Sequence, residues 1–255
     1  NTITLGATAE TKFGATISLV GGIDGGDTID LSGTTKKVWV DASAGSTGDT
    51  ITAGSNDNTL IGGSAASAND LFIFTSVSHL NGASVVGGGG TDTLRLSANG
   101  QTVLSSALTG LSSIEVFDLA GAGNSITLGA ISAGIATIVG GTGPNTFDAS
   151  GYNSAPNALT WNMNASNGSD SLLGGANGNL FQIKNGANLQ NSVITGNTGT
   201  DTIQLLAGAQ TLGDSAFSNI SGTSIEKLVL GSATNGNSLT LGTTAASKGI
   251  DTVIG

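Results

Sequence analysis

Short stretches in which apolar and polar residues alternate recur along the chain and predict β-strands. In Thr93–Leu96, the side chains of Leu94 and Leu96 point to one side of an extended backbone, and those of Thr93 and Arg95 point to the other. A similar strand follows each of five acidic residues that stand 21 to 23 positions apart. These residues are Asp27, Asp49, Asp70, Asp92 and Glu115. The spacing predicts a repeating unit of about 22 residues that opens with a strand.

A second short strand falls between successive acidic residues. The segments are 37–40 (KVWV), 59–61 (TLI), 84–86 (SVV) and 102–104 (TVL). Each unit, which we call a coil, therefore holds two strands and two turns. Stacked coils would form two parallel sheets that face each other across a thin apolar core. The predicted fold class is all-β, a parallel β-solenoid of the β-roll or β-helix kind.

A longer repeat is superimposed on the coils. The segment NTITLG at Asn1 returns as NSITLG at Asn124 and as NSLTLG at Asn237. This predicts one continuous solenoid with a first long repeat at 1–123, a second at 124–236, and the start of a third at 237–255. Natural solenoids end in atypical capping coils, and neither end of the sequence shows one. We therefore expect the 255 residues to be part of a longer array.

The composition supports an ordered, turn-dense protein. There are 42 glycines, 9% charged residues and 4% aromatic residues, while apolar residues reach 38% and include regularly placed Val, Ile and Leu. The net charge of −10 disfavours nucleic acid as a partner and favours cations. The chain has no cysteine, and no apolar run approaches the roughly 18 residues of a membrane span.

The turns before the strands are rich in glycine and end in an acidic or amide residue. The fullest example is GGGGTDTLR at Gly87–Arg95, and partial copies occur elsewhere. The copies are Gly140–Asp148, Gly196–Gln204 and the looser tandem pairs Ala44–Ile61 and Ala165–Gln182. These nonapeptides resemble those of the repeats-in-toxin (RTX) family, which wind into a parallel β-roll with calcium between successive turns. The resemblance implies calcium as the cofactor.

Stacking would bring the acidic residues close together. Neighbouring coils lie about 4.8 Å apart, and two carboxylates at that distance repel by roughly 3 kcal/mol at an effective dielectric constant of about 20. Calcium between them would remove this repulsion, because it accepts six to eight oxygen ligands. The candidate ligands are Asp27, Asp49, Asp70, Asp92, Asp170 and Asp201.

A structural role for these residues is the alternative. Asp and Asn are favoured before strands because their side chains can close Asx turns onto nearby N–H groups. Asn58, Asn145 and Asn179 occupy equivalent positions, so some of these turns form without a charge.

Other chemically suggestive residues indicate structure rather than catalysis. His79, the single histidine, is predicted in a surface turn. Glu115 and Glu226 hold the same position in two repeats, which favours a structural role, and Trp39 and Trp161 are predicted to fill the core or cap its edge. No GxSxG, P-loop or CxxC motif is present, so no enzymatic activity is predicted.

These features predict a structural component of a bacterial extracellular surface. The protein would resemble surface-layer proteins and giant secreted surface proteins, would be folded by external calcium, and would assemble with copies of itself. Cell-surface polysaccharide is a further candidate partner. The alternatives are the repeat stalk of a secreted adhesin, a subunit of an extracellular filament, and the calcium-binding secretion module of an RTX enzyme or toxin.

Overall fold

The computed structural model describes residues 1–10, 16–20, 25–129, 134–153, 158–231 and 236–255. The chain forms two compact units. Unit 1 comprises residues 1–120 and 132–135, and unit 2 comprises residues 121–131 and 136–255. Both units consist mainly of short parallel β-strands, with a few single-turn helices between them.

Unit 1 contains twelve strands among its described residues. They are β1 (Thr2–Thr4), β2 (Thr16–Val20), β3 (Thr28–Asp30), β4 (Lys37–Asp41), β5 (Thr50–Thr52), β6 (Thr59–Ile61), β7 (Leu71–Phe74), β8 (Ser84–Val86), β9 (Thr93–Leu96), β10 (Thr102–Val103), β11 (Leu111–Ser112) and β12 (Val116–Leu119). Its helices are α1 (Ala7–Glu10), α2 (Val77–Leu80) and a 3-10 turn at Ser105–Leu108. One parallel sheet has the strand order β1-β3-β5-β7-β9-β12, and the other has the order β11-β8-β6-β4-β2.

The alternating pattern explains the core of unit 1. In the first sheet, the central inward position of each strand from β3 onwards is a large apolar residue with 0% exposure. These residues are Ile29, Ile51, Phe72, Leu94 and Phe117, and they are in register across the paired strands. Each coil therefore adds one apolar layer to a continuous core.

Unit 2 repeats this arrangement with strands β13 (Ser125–Thr127), β14 (Thr137–Gly140), β15 (Thr146–Asp148), β16 (Thr160–Met163), β17 (Ser171–Leu173), β18 (Leu180–Ile183), β19 (Val193–Thr195), β20 (Thr202–Leu205), β21 (Thr211–Leu212), β22 (Lys227–Val229), β23 (Ser238–Leu239) and β24 (Thr252–Ile254). Its helices are α3 (Gly186–Asn191), α4 (Thr243–Ser247) and a 3-10 turn at Asp214–Phe217. The larger sheet has the order β14-β16-β18-β20-β22-β24, the second β13-β15-β17-β19, and β21 pairs with β23.

An aromatic stack joins the two sheets of unit 2. The ring of Trp161 on β16 stacks on Phe147 of β15, with centroids 5.5 Å apart, and on Phe181 of β18, with centroids 6.3 Å apart. Trp161 and Phe181 are 0% exposed and Phe147 is 1% exposed. Because Phe147 belongs to the opposite sheet, this stack fills the space between the sheets.

The structure confirms the predicted β-solenoid and its parallel, facing sheets. It also confirms that Trp161 fills the core, but the same prediction was wrong for Trp39, which is 40% exposed. In β4 the inward positions belong to Val38 and Val40, so the residue between them faces outward. His79 lies in α2 rather than in a turn.

None of the helices in the described part of the chain has the length and apolar character needed to cross a membrane.

Candidate cation-binding turns

The four acidic residues of unit 1 stack in one buried column. Asp27, Asp49, Asp70 and Asp92 immediately precede β3, β5, β7 and β9, and none is more than 2% exposed. The first residues of these strands pair directly from coil to coil. The register predicted from the spacing of 21 to 23 residues is therefore present.

Each main-chain N–H in this column donates to the side chain of the following coil. The donor–acceptor distances are 2.8 Å from Asp27 N to Asp49 Oδ1, 2.7 Å from Asp49 N to Asp70 Oδ1, 2.7 Å from Asp70 N to Asp92 Oδ1 and 2.8 Å from Asp92 N to Glu115 Oε2. One oxygen of each carboxylate thus fastens two coils together. This contact between coils differs from the Asx turn that the sequence left open as the structural alternative.

In unit 2 the candidate residues divide between two columns. Asp201 precedes β20 and accepts a hydrogen bond from Asn179 N at 2.5 Å, while its own N–H donates to Glu226 Oε2 at 2.7 Å. Glu226 therefore performs the same structural role as Glu115 in unit 1. Asp170 instead precedes β17 of the second sheet, where Asn145 N donates to its Oδ1 at 2.9 Å. Asp170 and Asp201 belong to different corners of their coils.

The second carboxylate oxygen of Asp92 and of Asp201 is buried and makes no hydrogen bond within the described structure. A β-carbon added to Gly87 would lie 2.4 Å from Asp92 Oδ2 and 1.8 Å from the carbonyl oxygen of Ser113. At Gly196 the corresponding distances are 2.4 Å to Asp201 Oδ2 and 1.9 Å to the carbonyl oxygen of Ser224. Glycine is required at both positions because two oxygen atoms from adjacent coils meet where a side chain would be.

In the turn of Asn179, an amide nitrogen lies in the space that Oδ2 occupies in the Asp turns. A β-carbon added to Gly174 would lie 2.6 Å from Asn179 Nδ2 and 2.3 Å from the carbonyl oxygen of Gly196, so the amide nitrogen takes the place that Oδ2 takes in Asp92 and Asp201. That nitrogen donates to the carbonyl oxygens of Gly175 (3.3 Å), Asn177 (2.6 Å) and Gly196 (3.1 Å). The turn supplies the first two of these acceptors and the following coil supplies the third, and the same nitrogen also donates to Asp201 Oδ1 at 2.8 Å.

Two further asparagines repeat this arrangement. Asn145 Nδ2 donates to the carbonyl oxygens of Gly141 (3.1 Å) and Gly143 (2.9 Å), and Asn58 Nδ2 donates to those of Gly54 (3.1 Å) and Asn56 (2.5 Å). In every case the acceptors lie four and two residues before the asparagine. The asparagine nitrogen thus supplies donors to the carbonyl oxygens of the turn, although the side-chain oxygens of Asn58 and Asn145 are buried with no hydrogen bond in the described structure. Aspartate instead brings another acceptor to a set of acceptors.

The electrostatic environment follows from burial. Burial raises the pKa of Asp92 to about 6, and the nearby carboxylates of Asp70 and Glu115 add to the effect. Burial also raises the pKa values of Asp70, Asp170 and Asp201.

These shifts predict a pH dependence for the metal-free protein. Asp92 ionises near pH 3.8 when unfolded and near pH 6 when folded, so the folded state holds more protons between these values. The stabilising contribution of the protonated group is complete below about pH 4 and is lost as the pH rises through about 6. We expect the midpoint temperature of thermal unfolding, measured by circular dichroism in chelator, to be lower at about pH 7 than at about pH 4.5.

The control for this measurement is Asp92→Asn, in which the fall should be smaller because an amide does not titrate. Half-buried Asp214 does not contribute to this fall. Hydrogen bonds from the main chain of α4 lower its pKa to about 2, so its contribution to stability changes only below about pH 4. A midpoint that rises steadily over the interval would contradict the assignment.

The donor set suits a hard cation. At Asp92 and Asp201 a carboxylate oxygen meets a main-chain carbonyl oxygen of the following coil, and calcium prefers oxygen ligands of both kinds. No group of three or more His, Cys, Asp or Glu side chains arranged to hold a metal occurs among the described residues. A cation at these turns would therefore be held mostly by the main chain. The residues fit the group that the RTX resemblance implies, with Asp92 and Asp201 as the best-formed positions.

A scan against protein-family models, a search of the curated proteins and a search of the solved structures found no match to this chain. The fold itself defines a repeat protein of the parallel β-solenoid class.

Proposed function

We propose that this protein is a structural repeat protein of a bacterial exterior, and that calcium bound at its Asp turns stabilises the stacked coils. The observation that carries the proposal is that Oδ2 of Asp92 and of Asp201 takes the place that an amide nitrogen takes in the turn of Asn179. In that place an oxygen needs a positive partner, because the surrounding atoms are acceptors.

The residues have separate tasks in this proposal. Oδ1 of each aspartate holds the preceding coil through its main-chain N–H, and Oδ2 faces the glycine-rich turn. By the spacing seen at Asn179, the turn acceptors around Asp92 correspond to the carbonyl oxygens of Gly88 and Gly90, together with Ser113 of the following coil. Bound calcium would supply the positive charge shared by these oxygens.

A proton could play the same part only in mildly acidic solution, since the pKa of Asp92 is about 6. At neutral pH a divalent cation is the better partner. A ligand that binds only the folded state stabilises it by RT ln(1 + [L]/Kd). Extracellular calcium modules commonly have Kd values of about 10⁻⁴ to 10⁻³ M, so this stabilisation would be large outside the cell and small in a calcium-poor cytoplasm.

The proposed location and role follow from this coupling. A chain that gains its full stability only after export suits a secreted, surface-layer-like coat that assembles from copies of itself. The absence of cysteine and the net charge of −10 agree with such a setting. The stalk of an adhesin and a filament subunit use the same calcium chemistry and differ in the form of the assembly.

Electron microscopy of the purified 255-residue chain tests the role. In millimolar calcium we expect ordered two-dimensional arrays, and after chelation we expect them to disperse. Isolated filaments would favour the stalk or filament alternative. Material that stays monodisperse at all calcium concentrations would refute self-assembly, while calorimetric calcium titration of the same sample would still report on the Asp turns.

A further inference from the structure

Trp39 is the one described aromatic residue that the fold leaves on the surface. The other eight, six phenylalanines with Tyr152 and Trp161, are at most 2% exposed, whereas Trp39 is 40% exposed. Tryptophan is enriched at interfaces, because its ring offers a large apolar area and its N–H can still reach a polar partner. The pattern of the core gives no reason for this residue, because Val38 and Val40 already fill the inward positions of β4.

The neighbours of Trp39 leave its ring accessible. Strand β4 lies between β2 and β6, and the residues paired with Trp39 are Ser18 and Thr59. Both are small and carry a hydroxyl group that can donate and accept hydrogen bonds. The indole is thus flanked on each side, about 4.8 Å away, by a short polar side chain.

Two charged residues lie on the same face of β4. Lys37 and Asp41 stand two positions before and after Trp39, which places each roughly 6.7 Å along the strand. Ser43 N donates to Asp41 Oδ1 at 3.0 Å and so fixes the direction of this carboxylate. The face therefore offers a donor at one end of the ring and an oriented acceptor at the other.

An apolar border adjoins this cluster. Val20 and Ile61 are paired with Asp41 from the two neighbouring strands, and Val20 is 60% exposed. Lys37 and Asp41 carry opposite charges, so the face is locally neutral in a chain whose net charge is −10. An acidic polymer would meet overall repulsion from this net charge, whereas an uncharged polymer would not.

We propose that Trp39, with Ser18, Thr59, Lys37 and Asp41 around it, forms a binding face for an uncharged polysaccharide. A pyranose ring has one face of C–H groups, which packs on the negative face of an aromatic ring, and a rim of hydroxyls that need both donors and acceptors. The face supplies both kinds of contact on a rigid sheet. It is separate from the Asp turns and does not depend on the calcium proposal.

Affinity gel electrophoresis of the 255-residue chain tests this inference. The probes are a soluble β-glucan and a soluble α-glucan as uncharged polymers, and alginate as the acidic counterpart. We expect at least one uncharged glucan to retard the protein, and Trp39→Ala to weaken that retardation roughly tenfold or more, as for the anchor of a binding site. Trp39→Phe should retain much of the binding because it keeps an aromatic face.

Leu104→Ala is the matched control, since Leu104 is also an exposed apolar residue, at 54%, and should leave the binding unchanged. Circular dichroism should show both alanine variants folded. Absence of retardation by either uncharged glucan, equal retardation of the parent and Trp39→Ala, or stronger binding to alginate would each overturn the proposal. Loss of self-association in Trp39→Ala without any glucan binding would identify the face as a contact between copies.

Discussion

In calcium-free buffer at neutral pH, Asp92→Asn should make the protein more stable. The amide nitrogen would take the place of Oδ2 and donate to the turn and to Ser113, as Asn179 does in its own turn. This removes a buried acceptor without a partner, which costs about 1–3 kcal/mol. We expect a rise of roughly 3–10 °C in the midpoint of thermal unfolding measured in chelator.

Calcium should make the parent protein more stable than Asp92→Asn, which reverses their order of stability in chelator. The parent should gain stability as calcium is added, whereas Asp92→Asn should gain less because it has lost the negative charge at that turn. Asp201→Asn should behave in the same way in unit 2. The crossing of the two stability curves is the distinguishing result, because a general loss of charge would shift both curves together.

Two variants serve as controls. Asn179→Asp is the reverse exchange, and it should lower stability in chelator and add a response to calcium. Asp57→Asn removes a charge at an exposed residue and should change neither quantity. If Asp92→Asn destabilised the chelated protein, or kept the full calcium response of the parent, the assignment of Asp92 Oδ2 would be wrong.

The coil could be predicted from the sequence because two independent periodicities coincide. Alternating apolar residues define each strand, and Asp27, Asp49, Asp70 and Asp92 define the distance between strands. Parallel stacking of equal coils then places equal positions side by side, so the column in unit 1 follows directly. The structure confirms both steps.

The hydrogen bonds of the column could not be predicted in the same way. A local sequence pattern suggests contacts within one turn, whereas each Oδ1 accepts from the N–H of a residue 21 or 22 positions earlier. The sequence also did not show which sheet the strand after Asp170 belongs to, because the strands of both sheets begin with similar polar–apolar patterns. The outward position of Trp39, in contrast, could have been predicted from the alternation of Val38, Trp39 and Val40.

Trp161→Ala should destabilise unit 2 more than any single change at its turns. The side chain is fully buried, and its ring is nearly parallel to those of Phe147 and Phe181, with interplanar angles of 14° and 5°. Replacing a buried Trp by Ala costs about 3–5 kcal/mol, because transfer energy is lost and the cavity collapses only partly. We expect thermal unfolding monitored by circular dichroism to shift down by roughly 10 °C or more.

Trp39→Ala is the same exchange on the outer face of a sheet and provides the matched control. Since Trp39 is 40% exposed, its removal leaves no closed cavity, and the midpoint should change by only a few degrees. Trp161→Phe should fall between the two, because it keeps an aromatic ring in the stack and also removes the buried Nε1–H, which has no acceptor in the described structure. Only the ring of Trp161 touches both sheets of unit 2. If Trp161→Ala and Trp39→Ala lowered the midpoint of thermal unfolding equally, the stack would not hold these two sheets together.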